Sequence, residues 1–359
     1  RGLLGSRCLN PLPQGGLFGF DIGGTLAKFV LFVPLDDSDQ LKEPAMRLAA
    51  ILADVYPEPS GGKSVRIEIP GRGTFLFMSF LTEAMERVVD VVQKYRLAED
   101  IHHLSIAGGG AYKFEHLLMS KLGVSVLKED ELATVVNGVA FMIEHIPDEM
   151  YYLEHCKFGE ESLMREVTAP PLEGSLYPYL LVNVGSGVSI IEVRDLFDFE
   201  RVSGTALGGA TFWGLCKLLT KYESFDAAMD DAANGSVDNV SFTVGDIYGG
   251  DCHSLGLPEN VTAAFFGKAI GAGRESMSDA DIAKSLIQMI AQNITQLAFL
   301  LSQSREISRV VFTGNFLRRN PIARQTVAYS LKFPEPQLTQ AVFLKHEGYF
   351  GALGAFLAN

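Results

Sequence analysis

The sequence predicts an α/β fold built twice over, as two lobes with a cleft between them. Three observations lead there. The chain has 359 residues, more than one ordinary core uses and a comfortable length for two. Short apolar strands run into glycine turns at four places: 21–25, 108–110, 184–187 and 313–315. Two of those turns join strand to strand, and they stand in equivalent positions of the two halves.

Residues 1–16 carry no hydrophobic period and are expected to be a tail. The first lobe is placed at 17–178. It opens with an apolar strand at 17–20, the turn Asp21-Ile22-Gly23-Gly24-Thr25, and a second strand at 27–33. Alternation predicts another strand pair at 65–69 and 75–80, around a Pro-Gly turn. Met85, Val88, Val89, Val92 and Tyr95 fall at helical spacing, and residues 132–145 read as a second helix. Residues 146–178 hold Pro147, Pro170, Pro171 and Pro178 and are expected to be an irregular excursion ending at the lobe boundary.

The second lobe is placed at 179–359. It repeats the opening hairpin as strands at 179–183 and 188–193 around a Val-Gly-Ser-Gly turn. Ser278-Asp279-Ala280-Asp281 has the pattern of a capping box. The helix it opens places Ile282, Leu286, Met289, Ile290, Ile294, Leu297 and Leu301 on one side. That is more apolar surface than one lobe easily covers, and a homodimer is expected to cover it. The chain ends in a small-residue helix at 348–355.

Composition narrows the function. Hydrophobic residues make up 47% and charged residues 20%, an ordinary globular profile. The net charge of −13 makes nucleic acid a poor partner, so an anionic substrate must be held by local cations and backbone N–H groups. The cysteines, Cys8, Cys156, Cys216 and Cys252, form no CxxC pair and are read as reduced thiols. The seven histidines show no metal-ligand spacing; adjacent His102 and His103 would point to opposite faces of a strand. No apolar run reaches the ~18 residues of a membrane span. The chain starts at Arg1, so the native N-terminus is taken to be missing. The expected compartment is the cytoplasm, with mitochondria as the alternative if a targeting segment preceded it.

The chemistry is carried by the turns. Glycines at 23 and 24 let backbone N–H groups approach phosphate oxygens, and Thr25 adds a hydroxyl. Asp21 can hold Mg²⁺, directly or through water. Lys28 can reach a transferring phosphate. No GK[ST] helix follows, so this is not a Walker loop, and a plain hairpin remains the competing reading. A second glycine hairpin, with Gly185, Ser186 and nearby Ser189, can clamp phosphates from the other side; against that, Ser favours turns in any protein. The run Glu129-Asp130-Glu131 precedes a helix, where acidic residues are at home. One of the three is the candidate base that takes a substrate hydroxyl's proton. Arg201 is either a solvated loop arginine or a planar fork for a carboxylate or a developing phosphate charge. Gly208-Gly209 allow an adenine to lie against backbone, or simply make a turn. Gly185, Gly208, Gly209, Gly314 and Asn315 complete the candidate ATP contacts.

The stretches GFDIGGTLAKFVLF, AGGGAYKFE, KEDELATVVNG, LLVNVGSGVSI, RVSGTALGGATFWGLCKLLT, DIYGGD, RVVFTGNFLR and HEGYFGALGA resemble the eukaryotic-type pantothenate kinases, in order and at close to the family spacing. Ala107, Ala210 and the region 146–178 depart from the family pattern. The resemblance implies a duplicated actin-like (ribonuclease H-like) kinase fold with an inter-lobe cleft. It implies ATP-dependent phosphorylation of pantothenate to 4′-phosphopantothenate, the first step of coenzyme A biosynthesis, with Mg²⁺, as a homodimer subject to feedback inhibition by acyl-coenzyme A. It assigns the base to Glu131. It places Ser186, Ser189 and Arg201 in a pocket shared by pantothenate and acyl-coenzyme A, and gives Asp21 to Lys28 to ATP and Mg²⁺. Catalytically silent relatives lack the Glu and the Arg, both present here. The alternatives are a sugar-type kinase of the same fold and a non-catalytic acyl-coenzyme A sensor.

Overall fold

The computed structural model describes residues 18–24, 26–34, 65–69, 71–98, 101–154, 165–169, 175–331 and 339–358. The expected tail at 1–16 lies outside these, as do Thr25, Cys8 and Cys156. The chain forms an α/β fold with two mixed sheets, one in each of two compact units. Unit 1 comprises Arg1–Glu149 and Gly348–Asn359; unit 2 comprises Met150–Glu347. The sequence placed one boundary at 178/179. The chain instead leaves unit 1 after Glu149 and returns to it for its last residues.

Unit 1 is built on strands β1 (Phe18–Ile22), β2 (Leu26–Pro34), β3 (Val65–Ile69), β4 (Gly73–Leu81), β5 (His103–Ala107) and β6 (Ser125–Lys128), in the order β3-β4-β2-β1-β5-β6. The first four pair antiparallel, while β5 joins β1 and β6 joins β5 in parallel. Helix α1 (Met85–Lys94) buries Met85, Val88, Val89 and Val92, the residues whose spacing predicted it. Its core partners include Phe18, Phe20 and Phe29, alternate residues of their strands.

Helices α2 (Gly110–Leu122) and α3 (Glu131–His145) follow β5 and β6. A methyl group at Gly138 would stand 2.1 Å from the Phe350 carbonyl oxygen, in the loop and first turn that lead into the C-terminal helix. One at Gly354 would stand 1.8 Å from the Thr134 carbonyl oxygen. Glycine at both places lets α3 and that helix touch backbone to backbone, which is why the chain's end belongs to unit 1.

Unit 2 carries β7 (Met150–Glu154), β8 (Arg165–Thr168), β9 (Tyr179–Val184), β10 (Val188–Asp195) and β11 (Asp198–Thr205). Next come α4 (Gly209–Leu219), α5 (Phe225–Asp231), the short pair β12 (Phe242–Thr243) and β13 (Thr262–Ala264), and the one- to two-turn helices α6 (Val244–Tyr248) and α7 (Ala269–Ala272). The unit closes with α8 (Asp279–Ser304), β14 (Arg309–Thr313), α9 (Pro321–Ser330) and β15 (Gln340–Leu344); α10 (Phe350–Ala358) is the C-terminal helix of unit 1. Its main sheet runs β11-β10-β9-β14-β15-β7-β8.

The two sheets share one topology. The order β4-β2-β1-β5-β6 in unit 1 matches β11-β10-β9-β14-β15 in unit 2. Each has an antiparallel meander on one side of its first strand and two parallel strands on the other. The expected duplication is present, and all four glycine turns follow the predicted strands.

Two expectations need correction. The region 146–178 is not wholly irregular, because β7 and β8 form an antiparallel pair on the edge of the unit 2 sheet. The long helix does not leave an apolar face waiting for a partner. The α8 residues Ile282, Leu286, Ile290 and Ile294 are buried in unit 2's own core. Even Lys284 and Gln288 are buried, and Leu300 is the helix's exposed large apolar residue. The predicted capping box is formed, with Ser278 and Asp281 each accepting from the other's backbone N–H.

Candidate active site

In unit 1, antiparallel register sets Asp21 directly opposite Lys28, and their side chains meet at 2.9 Å. Neither is freely exposed, at 15% and 22% for the side chains. The turn joining them is held from within. The Gly23 N–H donates to the Leu26 carbonyl at 2.9 Å, and the Thr82 hydroxyl donates to the Gly23 carbonyl at 2.9 Å. Gly23 thus spends both backbone groups on the turn, while Gly24 stays exposed. Thr25 lies outside the described residues.

The Asp21 carboxylate is enclosed by backbone. A methyl group at Gly351 would approach its Oδ2 to 2.8 Å, and one at Gly108 would come within 3.2 Å of its Oδ1. Gly108 also has φ +82°, a conformation that favours glycine. The HEGYFGA and AGGGAYKF stretches therefore contribute structure around Asp21, which spacing alone did not reveal. Ala107, a departure from the family pattern, pairs with Asp21 and is fully buried.

The acidic run resolves into three roles. Glu129 accepts a hydrogen bond from the buried Ser105 hydroxyl at 2.9 Å. Asp130 is the N-cap of α3 and accepts from the Ala133 N–H at 2.8 Å. Glu131 remains open to solvent, and no protein donor among the described residues binds its carboxylate. Its pKa is raised from the ordinary glutamate value, first by partial desolvation and next by the negative charge of Asp21; Lys28 opposes this and Asp130 adds to it. Of the three carboxylates, Glu131 alone is unencumbered by a structural hydrogen bond among the described residues.

In unit 2, the turn between β9 and β10 is closed by the Gly185 N–H donating to the Gly187 carbonyl at 2.9 Å. The start of α4 then docks on it. The Gly209 N–H donates to the Gly185 carbonyl at 2.8 Å, and the Ala210 N–H to the Ser186 carbonyl at 3.1 Å. A methyl group at Gly208 would stand 2.6 Å from the Ser186 oxygen. Gly185, Gly208 and Gly209 therefore build this corner with their own backbone, leaving the Ser186 side of the turn exposed. Gly314, at φ +114°, packs against Val184, and the Phe316 N–H donates to the Val184 carbonyl at 3.1 Å. Asn315 is half-buried beside it.

Arg201 does not sit in a loop. It lies within β11, and its Nε donates to the Ser189 hydroxyl at 3.2 Å. Gly204 makes room for it, since a methyl group there would stand 2.2 Å from an Arg201 terminal nitrogen. The guanidinium is exposed and presents further N–H donors.

No group of three or more His, Cys, Asp or Glu residues able to hold a metal exists among the described residues. A single carboxylate, Asp21, suits an ion that keeps most of its ligands as water and phosphate, which is how Mg²⁺ is usually bound alongside a nucleotide. No helix among the described residues is long and apolar enough to cross a membrane.

The chain belongs to the Fumble family, the eukaryotic type II pantothenate kinases, whose profile matches residues 17–358. It is 36% identical over 351 residues to pantothenate kinase 1 of Arabidopsis thaliana, covering 94% of this chain and 84% of that one. It is 37% identical over 348 residues to the 4′-phosphopantetheine phosphatase of Mus musculus, and 36% identical over 359 residues to pantothenate kinase 2 of Arabidopsis thaliana. The chain spans only 40% and 38% of the length of these last two relatives. A ROK family glucokinase from Streptomyces griseus, solved with glucose and AMPPNP, aligns over 95% of this chain and 98% of its own, at 12% identity and a TM-score of 0.42. Likeness of that degree says nothing about ligands.

Proposed function

We propose that this chain is an ATP-dependent pantothenate kinase, transferring the γ-phosphoryl group of ATP to the primary hydroxyl of pantothenate. The observation that carries the reading is Glu131, the one carboxylate of the acidic run that no structural hydrogen bond occupies, beside Asp21 and Lys28. A raised pKa suits a general base, which must accept a proton as the hydroxyl attacks. Lys28, half-enclosed and paired with Asp21, offsets negative charge on the transferring group. Gly24 and Ser186 are the exposed turn residues that can meet phosphate oxygens. Ser186, Ser189 and Arg201 hold the acceptor, with the guanidinium fork suited to its carboxylate. Gly314 and Asn315 complete the nucleotide contacts, and Gly23, Gly185, Gly208 and Gly209 support the turns behind them. Mg²⁺ arriving with ATP would be held through Asp21 and would neutralise phosphate charge.

Acyl-coenzyme A carries both a pantothenate unit and an adenine nucleotide, so it is proposed to inhibit by competing with ATP. A homodimer is proposed on family grounds, since α8 does not require one.

The test is ADP release measured with and without pantothenate. Pantothenate-dependent ADP formation supports the reading, and hexose-dependent release without pantothenate turnover overturns it in favour of a sugar-type kinase. The relation to a protein named as a phosphatase favours a second reading, a module that binds acyl-coenzyme A without consuming ATP. Acyl-coenzyme A binding with no ADP release under any acceptor would establish that one.

A further inference from the structure

The shared topology aligns four positions of the two units, one per strand. In unit 1 they are Ser79, Lys28, Asp21 and Ala107, neighbours across β4, β2, β1 and β5. In unit 2 the same places hold Gly204, Ser189, Asn183 and Thr313, across β11, β10, β9 and β14. Side chains opposite one another in register point to one face of the sheet. In the unit 1 row Asp21 and Lys28 are charged and paired with each other, and the buried Ser79 hydroxyl has no partner. The unit 2 row has no titratable group, and much of its hydrogen-bonding capacity is unused. Thr313 is 1% exposed, and its hydroxyl has no partner. The half-buried Asn183 carboxamide next to it binds no protein group among the described residues. Ser189 is already engaged by Arg201.

A buried hydroxyl is ordinarily satisfied, and one left unpaired beside an unengaged, half-buried carboxamide points to a ligand that engages the pair. A row without a carboxylate offers a cation no negative charge. A carboxamide offers both donor and acceptor, the complement of a secondary amide. We propose that Asn183 binds the amide of the acceptor molecule, extending the Ser189–Arg201 pair into a specificity-determining subsite, and that Thr313 is a positioning residue whose buried hydroxyl, unbonded here, becomes the partner of the Asn183 carboxamide when the acceptor binds. The proposal rests on the reading of pantothenate as acceptor, a hydroxy acid with one internal amide. Arg201 would then take its carboxylate and Asn183 its amide. A site built to hydrogen-bond a particular group discriminates strongly against a ligand lacking it.

The experiment is calorimetric titration of wild type, Asn183→Ala and Thr313→Val with pantothenate, with its ester analogue (amide N–H replaced by oxygen) and with ATP, alongside thermal melting. Asn183→Ala should weaken pantothenate about ten-fold, the worth of a good hydrogen bond, and leave ATP nearly unchanged. Its effect on the ester should be clearly smaller, a coupling that a merely structural role would not produce. Thr313→Val should weaken pantothenate several-fold while melting no lower than wild type, because it removes an unpaired buried hydroxyl. Wild-type pantothenate affinity in both folded variants, or equal losses for amide and ester, overturns the proposal. If wild type itself binds no pantothenate, the acceptor assignment falls with it, and the wild-type arm alone reveals that.

Discussion

The acidic run before α3 gives the sharpest test, because three adjacent carboxylates have three separable jobs. Glu131→Gln keeps size and hydrogen-bonding shape but cannot accept the hydroxyl proton. Removing a general base slows turnover about 10²–10⁴-fold, equivalent to roughly 3–5.5 kcal/mol of transition-state stabilisation. ATP affinity should stay near wild type, since among the described residues no hydrogen bond ties the Glu131 side chain to the turns. Asp130→Ala removes the N-cap bond to the Ala133 N–H and should reduce stability by about 1 kcal/mol. In a unit of this size that lowers the melting temperature by about 2–4 °C. Glu129→Gln weakens the bond from buried Ser105 from charged to neutral, a loss of about 1 kcal/mol. Both should retain kcat within about three-fold, far from the general-base range. The assay is coupled ADP release under saturating pantothenate, with melting curves for each variant. Near-normal turnover by Glu131→Gln, or an equal collapse in folded Glu129→Gln, would refute the division of labour.

Three further outcomes are expected. The acid limb of kcat/KM should fall as pH drops through the raised Glu131 pKa, because the protonated carboxyl cannot act as base; Asp130→Asn keeps a cap yet removes a negative neighbour, so the limb should move to lower pH in the pH–rate profile. Arg201→Lys should fail to restore pantothenate affinity lost in Arg201→Ala, as lysine keeps the charge without the fork that reaches Ser189; calorimetry giving equal wild-type and Arg201→Lys affinities would reduce the role to charge. Gly354→Ala should destabilise unit 1 by about 1–3 kcal/mol through overpacking against the Thr134 carbonyl, read as a lowered denaturant midpoint.

Local patterns carried much of the fold. Glycine hairpins at 21–25 and 184–187, the α1 spacing of Met85, Val88, Val89 and Val92, and the Ser278 capping box are set by neighbours in the chain, so they could be read directly. Strand β11 could not: as an edge strand with no fully buried residue it lacks alternation, and a loop arginine was one of the two readings of Arg201. The β7–β8 pair was hidden because it forms only by joining the edge of β15.

What the sequence determined by itself was the duplicated α/β plan, the glycine turns that follow its strands, and the short set of residues from which the proposed site is drawn. Those follow from backbone preferences and hydrophobic period, which act over a few residues. The tertiary structure decided which members of that set already hold structural contacts. Glu129 is engaged by Ser105 across 24 residues of chain, and Asp21 is walled in by Gly108 and by Gly351 from the far end of the sequence. The long α8 likewise proved buried in its own unit. Each of these depends on a partner distant in sequence, brought near only when the sheets and helices pack, and no local pattern records such a partner.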